Sequence, residues 1–471
     1  MIAARAAARP RATALQAVAS HAFVAVAGLG ALALGVPDVG RYREAVTLGS
    51  RILAAHSVPL VFGPETAAAG ADGGALGWLA ATANAALTAT PLGFGGCAAA
   101  AALCVLLGLA LVERRARGVA PQAYALGAVG LVVLSSLDLL HVGGATSLLL
   151  FGAALVAALD SATPAGIVAV GVLTALWCNV DAAGVLAPAF ALANACGRAL
   201  EDRTSLATRY AWLATAAALL ATLATPATLH FPYLAVASLR LAGTFASALP
   251  WAPADVAPHG YHIGFMLLLV AALALGLRAC GPREALLGTL ALVVALASGA
   301  LLPLAAIVVA PMLAAAAARG RVAAPPALAW PIAGVWLVAL SLAFGSMYGA
   351  RAASATAPAN EPQATLAVLA ATGDVRGVAC ANVAWCDGAV ALGLRVLADD
   401  RIGAMPLGVR RAQGAIARAG STWRTELDAF GIDAVVVGEN AALATLIAAS
   451  DWHRTSRSGT IAVYVRPGHR P

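Results

Sequence analysis

Lysine is missing from all 471 residues, so every one of the 29 basic side chains is an arginine. Alanine is abundant throughout, and the two biases together look like a GC-rich coding preference. Arginine at a given position is therefore weak evidence that a guanidinium is needed there. Charge of either sign is scarce, at 11% of residues against 61% hydrophobic, and mean hydropathy is +0.86. A soluble domain needs a polar exterior, and this composition excludes one for most of the chain. Motifs for common cofactors are missing too: no P-loop, no dinucleotide fingerprint, no HExxH and no Cys/His cluster with metal-ligand spacing. No metal site is expected, and no cofactor is indicated.

What charge there is has a pattern. The arginine clusters of the first 350 residues are Arg5/Arg9/Arg11, Arg114/Arg115/Arg117, Arg198/Arg203/Arg209, Arg278/Arg283 and Arg319/Arg321. Each falls after an even number of apolar runs, as expected of short cytoplasmic loops in a many-span membrane protein. The net charge of +7 is spread over these loops rather than massed on one face, which sets nucleic acid aside as a partner.

Runs suited to crossing a hydrocarbon core number about eleven, several of them short for the roughly twenty residues usually required. They lie near 14–35, 94–112, 122–138, 144–159, 164–180, 183–198, 209–228, 261–278, 283–299, 301–317 and 327–348. The first is longer than a signal-peptide core and reads as a retained span. With the N-terminus inside, the loop 37–93, the segment 229–261 and everything after about residue 348 emerge on the outer face. Within the loop, Arg41 to Ser57 has the charge pattern of a helix lying on a membrane surface. Gly74 to Thr90, with Trp78 and Leu79, suits a second helix before Pro91. A loop of that size is more than a connector needs.

Character changes after residue 350. A linker at 351–362 precedes a domain at 363–471 in which short β-rich runs (Gly377 to Ala381, Arg395 to Ala398, Ile432 to Val437, Ile461 to Val465) alternate with helical ones (Pro362 to Thr372, Thr422 to Phe430, Ala441 to Ser450). That alternation predicts a small α/β fold. Five of the seven cysteines lie in or beside apolar runs, where a buried thiol is the ordinary explanation. Cys380 and Cys386 form a local disulfide if the domain is exported, or stay as two buried thiols.

Candidate chemistry gathers at the outer ends of spans. Asp38 follows the first span and Asp181 ends the fifth, so both belong to one face, and ionisable groups at such depth tend to line cavities. The plain alternative for either is a helix cap. Asp138 and His141 close the third span, and His230 lies in Thr228-Leu-His-Phe-Pro-Tyr-Leu234. A lone interfacial histidine is ordinarily a satisfied surface residue.

Several segments together resemble the GT-C glycosyltransferases, polytopic bacterial proteins related to the protein mannosyltransferases and lipid A aminoarabinose transferases, in a branch with a small C-terminal domain. The resemblance rests on Pro37-Asp38, His56-Ser-Val-Pro59, Gly77-Trp78-Leu79, Trp177-Cys-Asn179-Val-Asp181, Ala224-Thr-Pro226, Pro250-Trp251-Ala-Pro253 and the helix ending at Pro311. In the C-terminal part it rests on Asn382 to Gly388, Asp399-Asp-Arg401 and Phe430 through Arg466. The chain departs from the pattern in carrying Asp38 alone where the family has paired acids, Gly40-Arg41-Tyr42 in place of Trp-Trp-His, and Asp181 in place of a histidine. An arginine common near the fourth span is absent. The resemblance implies an all-α polytopic membrane domain over residues 1–350 followed by the exported α/β domain, in the bacterial plasma membrane. It implies transfer of a sugar from a polyprenyl-phosphate donor to a glycan, lipid or protein acceptor on the outer face. Asp38 is then the candidate base and Asp181 its catalytic companion, with Arg41 and Arg43 toward the donor phosphate and Trp78, His141 and His230 toward substrate. Two other classes stay open. One is a diverged, non-catalytic scaffold presenting the C-terminal domain. The other is a lipid or solute transporter, although no internal repeat is found.

Overall fold

The computed structural model describes residues 22–33, 39–73, 76–91, 93–137, 140, 146–247, 269–270, 273–275, 280–298, 301–319, 362–373, 375–386, 389–390, 392–399, 405–458 and 460–467. The expected linker, most of the expected span at 261–278 and all of that at 327–348 lie outside these residues, as do Asp38, Asp138 and His141.

Helices build the first part. They are α1 (Ala22–Ala33), α2 (Val39–Ala55), α3 (Trp78–Thr88), α4 (Phe94–Arg117), α5 (Gln122–Ser136), α6 (Thr146–Asp160), α7 (Pro164–Val180), α8 (Ala187–Glu201), α9 (Leu206–Ala221), α10 (Phe231–Ser247), α11 (Pro282–Ala297) and α12 (Leu302–Arg319). Local signals set their ends. Thr163 caps α7, its hydroxyl accepting from Gly166 N at 3.2 Å ahead of Pro164 in the first turn, where a proline loses no helical bond. Ser205 caps α9 in the same way through Thr208 N. Arg114, Arg115 and Arg117 close α4, where the helix dipole favours cations.

Two of the described helical stretches, Gly95–Arg117 and Ala182–Glu201, are long and apolar enough to cross a membrane, and eight more apolar helices run to 10–17 residues. The expectation of about eleven spans is thus met only in part. The outward faces of the helical body are apolar: Leu103 and Leu107 on α4, Val168, Val172 and Leu176 on α7, Trp212, Leu213 and Leu220 on α9, and Val293 and Leu296 on α11 are all exposed. Stripes of this kind on successive helices are what a lipid-facing surface carries and a water-facing one avoids.

Both loop helices form: α2 lies within two residues of the limits expected from its charge pattern, and α3 falls inside the expected 74–90, starting four residues later and ending two earlier. They pack on each other at Gly49, where any side chain would run into the backbone of Ala81.

The C-terminal part is α/β, as its alternation predicts. Its helices are α13 (Pro362–Thr372), α14 (Leu407–Ala417), α15 (Trp423–Ala429) and α16 (Ala442–Ala448), and its strands are β1 (Val378–Cys380), β2 (Ala434–Gly438), β3 (His453–Ser458) and β4 (Ile461–Val465). The sheet order is β1-β2-β4-β3, with β1 and β2 parallel and the other pairs antiparallel. Alternate residues serve two cores. Val435, Val437, Ala462 and Tyr464 face α14, α15 and α16, while Val436, Ile461, Val463 and Val465 face α13. Cys380 and Cys386 are joined by a disulfide. β3 and α14 were not expected from the sequence: β3 is a polar edge strand, and its Arg454 and Arg457 pair with Glu439, charge that blunts an otherwise open edge.

One boundary differs from the expected domain plan. The core of the C-terminal domain draws in Phe62 and Ala68 of the long loop and Leu234 of α10. Val396 bridges β1 at Val378 on one side and Thr66 on the other, both parallel. The loop thereby adds one more strand position to the sheet, through Ala67 N donating to Val396 O at 2.9 Å and Val396 N donating to Glu65 O at 2.8 Å.

Candidate functional site

The helical body has two polar ends of opposite chemistry. At the arginine end, members of three of the five clusters expected to share one face meet; the N-terminal cluster and the side chains of Arg319 and Arg321 lie outside the described residues. Asp160, closing α6, accepts from Arg115 Nε at 2.9 Å and from Arg283 Nη2 at 2.6 Å. Arg283 Nε also donates to Asn194 Oδ1 at 2.5 Å. Arg198 donates to the carbonyls of Leu159 and Asp160, both at 3.3 Å. Arg115, Arg198 and Arg283 thus lie on one face around a single carboxylate. A cavity of about 10 Å³ beside them, lined in part by Leu159, Ser161, Asn194, Arg198 and Tyr210, has room for one water.

The loop end is neutral and hydrogen-bonded. Gly77 adopts φ of 68°, a conformation that glycine enters without strain, and turns the chain into α3. The first residue of α3, Trp78, donates from Nε1 to Asn179 Oδ1 at 2.6 Å. Asn179 spends its amide nitrogen on Ala175 O at 2.7 Å and Ala224 O at 2.8 Å. One buried amide therefore joins α3, the end of α7 and the turn after α9. Beside it Cys178, Phe231 and Ala235 form a small apolar cluster, with Leu76, Ala182, Val185 and Ala227 packed around it.

Of the expected site residues, Asp181 lies one residue beyond α7, two past Asn179, and its Oδ1 accepts from Ala183 N at 2.8 Å, capping the short 3-10 turn Ala182–Leu186. The capping alternative weighed in the sequence is therefore realised. His230 is exposed, with Nδ1 3.7 Å from Asp72 Oδ2; both partners are open to solvent, so the contact contributes little. Trp78 is placed as a tie rather than an open binding surface. The backbone of Arg41 and Arg43 lies in α2, and their side chains fall outside the described residues. Asp38 and His141 fall outside altogether, so the Asp38/Asp181 pairing is neither assembled nor broken here. Among the described residues, no group of three or more His, Cys, Asp and Glu side chains is arranged to hold a metal ion.

Asn179 and Asp160 are the positions that sequence reading undervalued. Asn179 was noticed only as part of a motif, and its partner is 101 residues away. Asp160 carried a readable sign: an acid ending an apolar run on the face to which the arginine clusters were assigned.

No protein-family model matches the chain, and no curated protein matches it. Among solved structures it is similar to the crystal structure of ArnT from Cupriavidus metallidurans bound to undecaprenyl phosphate. Sequence identity is 14% and the TM-score is 0.47, over 94% of this chain and 97% of that one. The likeness runs the length of both chains but is loose, and no residue role is carried across from it.

Proposed function

We propose that the chain is an integral membrane transferase of the GT-C type, moving a sugar from a polyprenyl-phosphate donor to an acceptor at the loop end, on the outer face of a bacterial plasma membrane. The observation that supports this most is the Trp78–Asn179 bond. It fixes the second loop helix to the end of α7, and α3 in turn holds α2, so the helix that begins beside Asp38 and carries Arg41 and Arg43 is held over the helix ends. A lipid-borne donor is met at such a place, where a roofed space opens sideways to lipid and upward to water. The exposed apolar faces of α4, α7, α9 and α11 suit the lipid part of that setting.

In this reading Asp38 takes the proton of the acceptor hydroxyl as its oxygen attacks the anomeric carbon. The bond from that carbon to the donor phosphate oxygen breaks, and the polyprenyl phosphate leaves with the electron pair. Arg41 and Arg43 offset the charge gathering on that phosphate. Asp181 acts one step removed: by capping Ala182–Leu186 it holds the turn that follows Asn179. His141 and His230 border the acceptor.

Purified chain in vesicles, given a defined lipid-linked sugar donor, tests the proposal. Asp38→Asn is expected to abolish transfer while leaving the unfolding temperature unchanged. Undiminished turnover would remove Asp38 as the base. The scaffold reading keeps one observation in its favour, since the Asp181 carboxylate is engaged in capping. It expects no transfer by the unmodified chain from any polyprenyl-linked donor.

A further inference from the structure

The loop segment 61–73 is folded on itself and onto the C-terminal domain at the same time. Phe62 N donates to Ala71 O, Gly70 N to Phe62 O and Gly73 N to Leu60 O, at 2.8, 3.0 and 3.0 Å, so the segment is a closed turn with its own backbone bonds. Its inner side chains Phe62, Thr66 and Ala68 are fully buried, Phe62 and Ala68 within the core of the C-terminal domain. Arg51 of α2 reaches Glu65 at 2.9 Å, which fastens the turn to the first loop helix as well.

Three residues beyond this turn stands Leu76, and it touches two clusters. It packs against the C-terminal core and against the cluster of Cys178, Phe231 and Ala235 next to Asn179; Ala227, which follows the turn after α9, does the same. Two residues after Leu76 comes Trp78, whose indole holds Asn179. A continuous line of contacts therefore runs from the sheet of the C-terminal domain, through Val396 and Thr66, to the amide at the end of α7.

We infer that residues 61–73 are a strap through which the docked C-terminal domain positions Leu76 and Trp78 over the loop end of the helical body. Coupling of this kind travels through packed side chains and backbone pairs that are either seated or released together. With Thr66 paired to Val396, Leu76 covers Cys178 and Trp78 meets Asn179. With the pair parted, Leu76 loses its packing against the C-terminal core, and the cover over Cys178 loosens. The C-terminal domain is in that case a positioning element for the site beneath it. The inference concerns coupling alone and stands or falls separately from the transfer reaction.

Cys178, buried and unbonded in a disulfide, is a built-in probe. The full-length chain in lipid nanodiscs is treated with a water-soluble maleimide, and modification of Cys178 is followed by mass spectrometry. Hydrogen exchange of the Ala67 and Val396 amides, measured on the same sample, reports whether the strap is seated. Phe62→Ala is expected to speed exchange at both amides and to raise the Cys178 modification rate by about tenfold or more. Phe62→Leu, which refills the core, is expected to restore both. Should Phe62→Ala fail to accumulate as folded protein, Ala67→Pro removes the N–H that donates to Val396 and leaves the apolar contacts in place. The inference is overturned if the strap amides are freed (both in Phe62→Ala, that of Val396 alone in Ala67→Pro, which has no N–H at 67) while Cys178 keeps its original protection, because the strap would then anchor the domain and nothing more. It is equally overturned if the two amides already exchange freely in the unmodified chain.

Discussion

Removing the Asn179 amide is the sharpest perturbation of the loop end, because its three hydrogen bonds have different values. The bond to Ala175 O lies within one helix turn, and that carbonyl keeps its ladder partner. Ala224 is exposed, so its carbonyl regains water when the amide goes. The Trp78 indole N–H is half-buried and loses its acceptor outright. Leaving a buried donor unpaired costs about 1–3 kcal/mol; half-burial brings this toward the lower end, and the small void left by the amide adds to it. Asn179→Ala is therefore expected to cost about 2 kcal/mol in local stability. Trp78→Phe keeps an aromatic but smaller ring and takes the donor from the Asn179 oxygen, for about 1 kcal/mol from the lost bond plus the packing of the missing ring atoms.

The double mutant decides whether these costs come from one bond. If they do, Trp78→Phe with Asn179→Ala is worse than Asn179→Ala alone only by that packing, a coupling of about 1 kcal/mol or roughly a fivefold change in opening equilibrium. Hydrogen exchange of the α3 amides from Thr82 to Thr88 measures that opening directly. Strict additivity would refute the reasoning, since it would mean that Trp78 and Asn179 act separately. Asn179→Asp adds a second check. It retains an acceptor for the indole but has no donor for Ala224 O and places a charge at a buried position, so it is expected to be worse than alanine. Protection equal to the unmodified chain would show that the two donor bonds do nothing.

Asp160→Asn strips the counter-charge from two arginines. Breaking a buried ion pair costs about 3–5 kcal/mol, and with Asp160 33% exposed the loss is discounted to about 2–3 kcal/mol, to be read as a fall in thermal midpoint that Asp160→Asn with Arg115→Gln partly recovers. The C-terminal domain expressed alone from residue 362 lacks Phe62, Ala68 and Leu234 in its core, and is expected to be digested by trace protease at least about tenfold faster than the same domain in the full chain; equal resistance would show that it is self-sufficient. Cysteine labelling is expected to find the exposed positions Arg114→Cys and Arg203→Cys on the cytoplasmic face and Gly70→Cys on the outer one, and the reverse pattern would turn the transfer site to the wrong side.

Elements were legible wherever a single stretch of chain determines its own structure. The period of apolar residues in Arg41 to Ser57 and the β-rich run Ile461 to Val465 mark elements that form with the same or nearly the same ends, and Pro362 to Thr372 is matched residue for residue. Where the deciding partner is distant, the sequence is silent. Segment 61–73 has no strand signature, since only isolated positions pair: Val61 with Asp72 inside the segment, and Thr66 with Val396, 330 positions along the chain. β3 was missed because His453-Arg-Thr-Ser-Arg-Ser458 alternates nothing apolar, an edge strand being free to be polar throughout. Arg410 and Arg411 beside Gly408 and Gly414 hid α14, although Val409, Ala412 and Ile416 fall on one buried face. Among the site residues, Asp181 was legible as lying at the end of a span, and its role as a cap was the plainer of the two readings. Asn179 was not, because a neutral amide in an apolar run takes its meaning from distant partners, Trp78 and Ala224.

The two ends of the helical body differ in what it takes to open them. At the arginine end, Asp160 holds Arg115 and Arg283, which are 14% and 10% exposed, and parting such a pair strands charge in a poorly hydrated place at about 3–5 kcal/mol. At the loop end the contacts include the Trp78–Asn179 bond, the Asp181 cap and one strand pairing, each hydrogen bond contributing about 1 kcal/mol net, and the Arg51–Glu65 pair, which contributes little because Arg51 is 51% exposed. An end that admits a lipid-borne substrate and releases a product has to open and close on each turnover, and cheap, neutral, remade contacts suit that task while buried ion pairs do not. Local opening should therefore concentrate in α2 and α3, with amides there exchanging faster than those in the last turns of α4 and α6; α3 should respond little to added salt because its tie to Asn179 parts no charge, whereas α2 should respond through Arg51–Glu65. The opposite order of protection, or a steep salt dependence of α3 exchange, would place the yielding end of the molecule at Asp160 and away from the proposed site.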